Sequence, residues 1–209
     1  NLQPARIGWG EIDAGDYTAL RRWVLHPKFM REDPFGNLTV RANMHAAANW
    51  DHVTGPSGPE DPMLQVISVQ TAEGKPLGLL ANFSMHYFGD QDISADYFGL
   101  FSNGLQDQLD PGKTGFVAMM SHGCSGDIWR HDYEKSPERG KDGPTIESYS
   151  ADMIALALKA IDGIAYESPA SIAMSETRMT VNYRVPDKQR LEWAQKIVAE
   201  MGDRLPKTQ

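Results

Sequence analysis

The sequence predicts an α/β fold: a mixed sheet core with flanking helices and a long irregular loop region. Three observations predict it. From residue 76 to 162 the chain runs strand, helix, strand, helix by its apolar pattern, which implies an α/β core. Just before, MLQVISVQ (63–70) and PLGLLANFSMH (76–86) flank Thr-Ala-Glu-Gly-Lys, a good hairpin connection, and read as paired strands. The stretch from His26 to Asp61 is rich in Pro, Gly, Asn and Asp, with only Leu38 to Val40 strand-like. A connection of that length without regular structure is usually functional or poorly ordered.

The elements follow in order. ARIGWGEI (5–12) and YTALRRWVL (17–25) read as strands around an Asp-Ala-Gly-Asp turn. After the hairpin, residues 97–109 suit a helix whose apolar side is Phe98, Leu100, Phe101, Leu105 and Leu109. GFVAMMS (115–121) is a buried strand by length and composition. Ile146 to Ile161 is the clearest helix, with Met153, Ile154, Leu156, Ala157, Leu158 and Ile161 as a broad apolar face and Thr145 placed to cap it. SIAMSETRMTVNYRV (171–185) alternates and predicts a long strand. Residues 187–202 predict a last helix, Asp187 at its start and Gly202 near its end. There is no internal repeat and no low-complexity tract, so residues 1–209 are expected to form a single domain. The start lacks both an initiator Met and a signal peptide, and MGDRLPKTQ reads like a connector. The expectation is a piece of a longer protein.

Composition limits the partners. The formal net charge of -8 argues against nucleic acid, which rewards basic surfaces. No run of 18 apolar residues exists, so no transmembrane helix is expected. The single cysteine, Cys124, excludes an internal disulfide without fixing the compartment.

The chemistry-bearing residues gather where the 115–121 strand opens into SHGCSGDIWRH. GCSGD is half a nucleophile elbow: Gly123 precedes Ser125 by two residues, but Asp127 stands where the second glycine belongs. Ser125 is therefore either a nucleophile or a hydroxyl bonded to the turn backbone. Cys124 is a reactive thiol beside His122 or an inert one. His86, at the end of LLANFSMH, is well placed as a metal ligand, with a hydrogen-bonded structural histidine as the alternative. His122 and His131 flank the glycine-rich turn, whereas His26, His45 and His52 lie in the irregular region and read as surface residues. Asp92, Asp96 and Asp127 belong to loops that follow core strands, where α/β sheets favour ligands. For Asp96 the simpler role is to cap the helix beginning near Tyr97.

Three segments in order, LGLLANFSMHYFG, ISADYFG and FVAMMSHGCSGDIW, resemble the N-terminal domain of the neutral/alkaline (non-lysosomal) ceramidases and their bacterial relatives. ALRRWVL and PEDPMLQVISV fit upstream, so the resemblance covers about residues 15–165. It implies zinc-dependent hydrolysis of an amide or ester in a small-molecule or lipid-like, sphingolipid-type substrate. It makes His86 a zinc ligand and Arg21 a substrate-binding residue, and matches Gly126 and Asp127 to the family's Gly-Asp pair. It places the remaining zinc ligands outside residues 1–209. Family members are often exported, so a periplasmic or extracellular location is expected over a cytoplasmic one.

One departure is central: the family's serine nucleophile position holds Trp129, and the proline after it is Arg130. Indole has no nucleophilic or acid–base group. The expected reaction therefore uses zinc-bound water, with Asp127 orienting it or accepting a proton. The alternatives are a catalytically inactive relative whose emptied site Trp129 fills, and a serine esterase using Ser125 and His122.

Overall fold

In chain order the elements are β1 (Ala5–Asp13), β2 (Ala19–Leu20), β3 (Arg22–Leu25), β4 (Arg31–Glu32), β5 (Leu38–Val40), β6 (Ala42–Met44), β7 (Val53–Pro56), β8 (Met63–Thr71) and β9 (Pro76–Phe83). Then come α1 (Asp96–Leu109), β10 (Val117–His122), β11 (Ile128–Trp129), α2 (Ile146–Asp162) and α3 (Lys188–Met201). The structure, a computed structural model, describes residues 2–135, 143–168, 171 and 173–205.

The main sheet has the order β1-β8-β9-β10. β1 runs antiparallel to β8, from Ala5 opposite Thr71 to Asp13 opposite Met63. β8 and β9 form the hairpin, and β10 joins β9 in parallel, with Val117 opposite Gly78 and His122 opposite Phe83. The sheet is thus mixed and the fold α/β, as the sequence predicts.

Alternation along the strands decides which face is covered. Leu64, Val66, Leu79, Ala81, Phe83 and Ala118 point to one side and are buried. Against them pack Tyr97, Phe101 and Leu105 of α1 and Tyr149, Met153 and Ala157 of α2. Each of the large apolar side chains, Leu64, Val66, Leu79, Phe83, Phe101, Leu105 and Met153, contributes about 1.5–3 kcal/mol by leaving water. Where the two helices cross, Gly104 matters: a Cβ there would collide with Ile154 Cδ1. The opposite face of the sheet is open, and Trp9, Ile67, Leu80, Val117 and Met119 are exposed on it.

The stretch 26–61 is more ordered than its composition predicts. β3 is the middle strand of a three-stranded sheet, β6-β3-β7. That sheet buries Trp23, Leu25, Ala46, Ala47 and Val53 with Tyr133 in a second small core. The predicted strand 17–25 is divided: β2 pairs with β11, β3 with β6 and β7, and Arg21 stands between them. Its two halves serve different sheets, a tertiary fact that no local pattern contains.

The predicted strand 171–185 does not form. Residue 171 and residues 173–185 lie outside any strand and are exposed; Ile172 lies outside the described residues. Alternation specifies a face but supplies no neighbour, and a strand exists only through its ladder. α3 forms as expected, with Asp187 accepting from Arg190 N at 2.9 Å and Gly202 after its end at φ +54°. It buries no residue. Its aromatic contact is to the loop after β4, where Trp193 meets Phe35 edge-on at 5.4 Å. Among the described residues no helix is long and apolar enough to cross a membrane.

Candidate functional site

Because β9 and β10 are parallel neighbours, their carboxyl ends open side by side, and the loops that follow them meet. Gly123 crosses directly over β9, its N–H donating to Phe83 O at 2.9 Å. A Cβ at that position would strike Ser84 Oγ and lie 3.1 Å from Phe83 C and O, so the crossing needs glycine. The chain then returns through Ser125 to β11, which is fastened to β2. The Arg21 N–H donates to Asp127 O at 2.8 Å, and Arg21 Nη2 donates to Gly126 O at 2.8 Å. Both ends of Arg21 hold the loop that sequence analysis singled out.

Trp129 is the centre of what assembles there. The His86 ring meets it edge-on at 5.6 Å and the His45 ring at 5.7 Å. The Arg21 guanidinium lies 5.5 Å from the indole centroid and that of Arg130 4.3 Å. Arg130 also lies 4.4 Å from the Phe88 ring, so aromatic rings flank it twice. Burial lowers the Arg130 pKa, with the charge of Asp96 and Tyr149 acting in the opposite direction. A guanidinium nevertheless stays protonated.

Of the expected site residues, His86, Arg21 and Trp129 come together. His86 Nδ1 lies 3.0 Å from Tyr87 O. That contact assigns the Nδ1 proton to the carbonyl and leaves Nε2 as the lone-pair donor, the arrangement that suits a metal ligand. His86 fits as one donor. Among the described residues, however, no three His, Cys, Asp or Glu side chains lie together in a way that could hold a metal ion. Asp127 enters the site through its backbone carbonyl, while its carboxylate faces Arg22 Nε at 3.9 Å, both side chains 44% exposed. A pair so exposed contributes about 0–1 kcal/mol.

Asp96 does not cap α1 as its position predicts. It is the first residue of the helix, in left-handed conformation at φ +52°. Its carboxylate reaches back and accepts from Phe88 N (2.8 Å), Gly89 N (2.9 Å) and Asp90 N (3.3 Å), as well as Tyr97 N (2.8 Å). It clamps the loop that leaves His86. Asp92 is exposed.

Ser125 is buried and its hydroxyl is hydrogen-bonded to His122 Nε2. Cys124 is exposed. His131 meets Tyr133 edge-on at 4.7 Å.

His26, His45 and His52 are not exposed surface residues; all three are partly buried. His52 stacks on Phe29 at 3.7 Å, while His45 belongs to the site. His45 sits at φ +57° after β6, its N–H donating to Arg21 O at 2.6 Å and its Nδ1 lying 2.8 Å from Tyr133 OH. No spacing in the sequence ties His45 to the loop around Trp129, because the link runs through the β3–β6 pairing. The role of Tyr133 shows only through its hydroxyl's contact with His45 Nδ1. Arg130 had a visible signal, as the second residue of the departure from the family pattern.

Comparison with known proteins adds the fold. No family model matches the chain, and no curated protein does. Neutral ceramidase from Pseudomonas aeruginosa superposes with a TM-score of 0.50 at 18% identity, over 78% of this chain. A ceramidase complexed with C2 does so with a TM-score of 0.51 at 19% identity, again over 78% of this chain. This chain spans 23% of the length of either solved chain. At such identities the likeness is one of fold: the chain adopts the α/β arrangement found in just under a quarter of a ceramidase.

Proposed function

We propose that this chain belongs to a ceramidase-like hydrolase that cleaves an amide or ester bond with water as nucleophile. The observation that carries the proposal is the placement of His86. Its ring stands at the carboxyl end of β9, beside the loop held by Arg21, with Nδ1 turned to a carbonyl and Nε2 left to donate. The ceramidase fold supports the same reading. A zinc ion bound by His86 Nε2 and by donors from outside this chain would polarise the scissile carbonyl and acidify a bound water.

The chain's own residues have the remaining roles. Arg21 holds the substrate. Trp129 has no hydroxyl to attack with, so the entering oxygen is water's. The Asp127 carboxylate turns from Arg22, which holds it only through an exposed pair at 3.9 Å, to accept the water proton as the new C–O bond forms, and the proton passes to the departing nitrogen as C–N breaks. The products are a carboxylic acid and an amine.

The test is zinc content and hydrolysis of a short-chain ceramide by the full-length protein. About one zinc per chain is expected, with loss of metal in His86→Ala. Asp127→Asn is expected to keep zinc and lose about 10²–10⁴-fold in rate. Unchanged metal in His86→Ala would remove that residue from the site, and absence of hydrolysis of both the ceramide and a carboxylate-bearing amide by the zinc-loaded protein would overturn the activity.

A second reading has one observation in its favour, the hydrogen bond between the Ser125 hydroxyl and His122 Nε2. That is the contact by which a base activates a serine. It predicts that a fluorophosphonate labels Ser125 and that His122→Ala abolishes labelling. Burial of Ser125 stands against it. Neither metal nor label would leave a ligand-binding protein with Trp129 in the emptied site.

A further inference from the structure

We infer that the side-chain cluster around Trp129 binds a carboxylate, so that the preferred substrate is an amide carrying a carboxylate group and not a neutral ceramide. The inference rests on the hydrolase reading only for the word substrate; the anion site itself does not. The chain is acidic overall, at -8, yet two guanidiniums lie within 5.5 Å of one indole centroid. Among the described residues neither Arg21 nor Arg130 forms an ion pair within 4.0 Å, whereas Arg22, beside them, has Asp127.

The acid whose charge acts on Arg130 is Asp96. Its oxygens already accept from four backbone N–H groups, which fills the positions a carboxylate offers. Asp96 therefore acts on Arg130 through its charge alone and has no lone pair left to bond it, so the guanidinium between Phe88 and Trp129 lacks a hydrogen-bonded counter-ion. Arg21 spends one donor on Gly126 O, and its Nε finds no partner among the described residues; nor does Nη1 of Arg130. A half-buried cation without a counter-ion is costly to maintain unless a ligand supplies one. A planar fork of donors flanked by aromatic faces matches the planar two-oxygen geometry of a carboxylate. His86, 5.6 Å from the same indole, then faces the neighbouring part of that ligand.

The position explains the departure at residues 129 and 130. Where the resembling family has serine and proline, this chain has an indole that braces two guanidiniums and one of those guanidiniums itself.

The experiment titrates the full-length protein with benzoate, benzamide and inorganic phosphate by calorimetry at fixed ionic strength. Benzoate is expected to bind, and benzamide, of the same shape without the charge, about ten- to a hundredfold more weakly. Arg130→Gln and Arg21→Gln are each expected to weaken benzoate by a similar factor while the circular dichroism spectrum is unchanged. If Arg130→Gln fails to fold, Arg130→Lys serves: it keeps the charge and loses the fork, and weaker benzoate binding is again expected. Equal binding of benzoate and benzamide would overturn the inference. So would phosphate binding without benzoate binding, or full affinity in a folded Arg130→Gln. Carboxylate binding without amide hydrolysis would retain this site and defeat the hydrolase reading. Hydrolysis of a neutral ceramide without carboxylate binding would do the reverse.

Discussion

Asp96 shows how one side chain sets a loop. Burial pushes its carboxyl pKa up, and the N–H groups of Phe88, Tyr97, Asp90 and Gly89 outweigh that, so it ends below its ordinary value. A depressed folded pKa stabilises above the unfolded value, near 3.9, and the contribution is lost as pH falls through the folded value. Asp96→Asn is therefore expected to cost about 1–3 kcal/mol at pH 7. The gap from wild type should narrow as the pH drops below about 4. Urea denaturation at pH 7 and pH 3 measures both; a gap independent of pH would refute the carboxylate clamp. The sequence showed an aspartate before a helix and suggested a cap. Its true partners, eight to six residues earlier, depend on how the loop folds back. His86, Arg21 and Trp129 were legible because motifs surround them. His45 was not, since β3 and β6 bring it in from a segment without periodicity, and the role of Tyr133 shows only through its hydroxyl's contact with His45 Nδ1.

Among elements, those with local determinants were readable. α2 has both an apolar stripe and a capping threonine, and each is found: Met153, Ile154 and Ala157 are buried, and Thr145 Oγ1 accepts from Ser148 N at 3.2 Å. Thr145→Ala is expected to destabilise the fold by about 1 kcal/mol, while Thr145→Ser leaves it nearly unchanged. Thermal or chemical denaturation decides between that and a packing role for the Thr methyl, which Ser would not replace. The strands of the hairpin were equally plain, because the turn and both partners lie within 24 residues of sequence, from Met63 to His86. Residues 173–185 mark the limit. Met179, Val181, Tyr183 and Val185 alternate as a strand should, yet all four are exposed and unpaired.

On the scale of the molecule, two regions differ in how they are held. The sheet, α1 and α2 share a continuous core, whereas residues 173–185 and α3 bury no residue. Local stability follows buried apolar contact. Trypsin is expected to cut first at Arg178, Arg184 or Lys188, leaving a fragment ending near residue 178 that melts within a few degrees of the intact chain. Mass spectrometry of early digests and the melting curve of the fragment check this; early cleavage inside β8 or α2 would contradict it.

The pairing of β1 with β8 has a consequence in time. Its residues meet across fifty or more positions of chain, Asp13 with Met63 being the nearest in sequence and Ala5 with Thr71 the farthest. The β8–β9 turn closes a short loop, so that pair can nucleate early, and β1 must dock afterwards at a larger entropic cost. Until it does, the backbone donors and acceptors along one side of β8 stand open to any passing chain. Refolding yield should fall as protein concentration rises, and substitutions in β1 should accelerate unfolding more than they slow folding. Stopped-flow kinetics on a Trp9 variant would read both arms, and a slowed folding arm alone would place β1 in the nucleus instead.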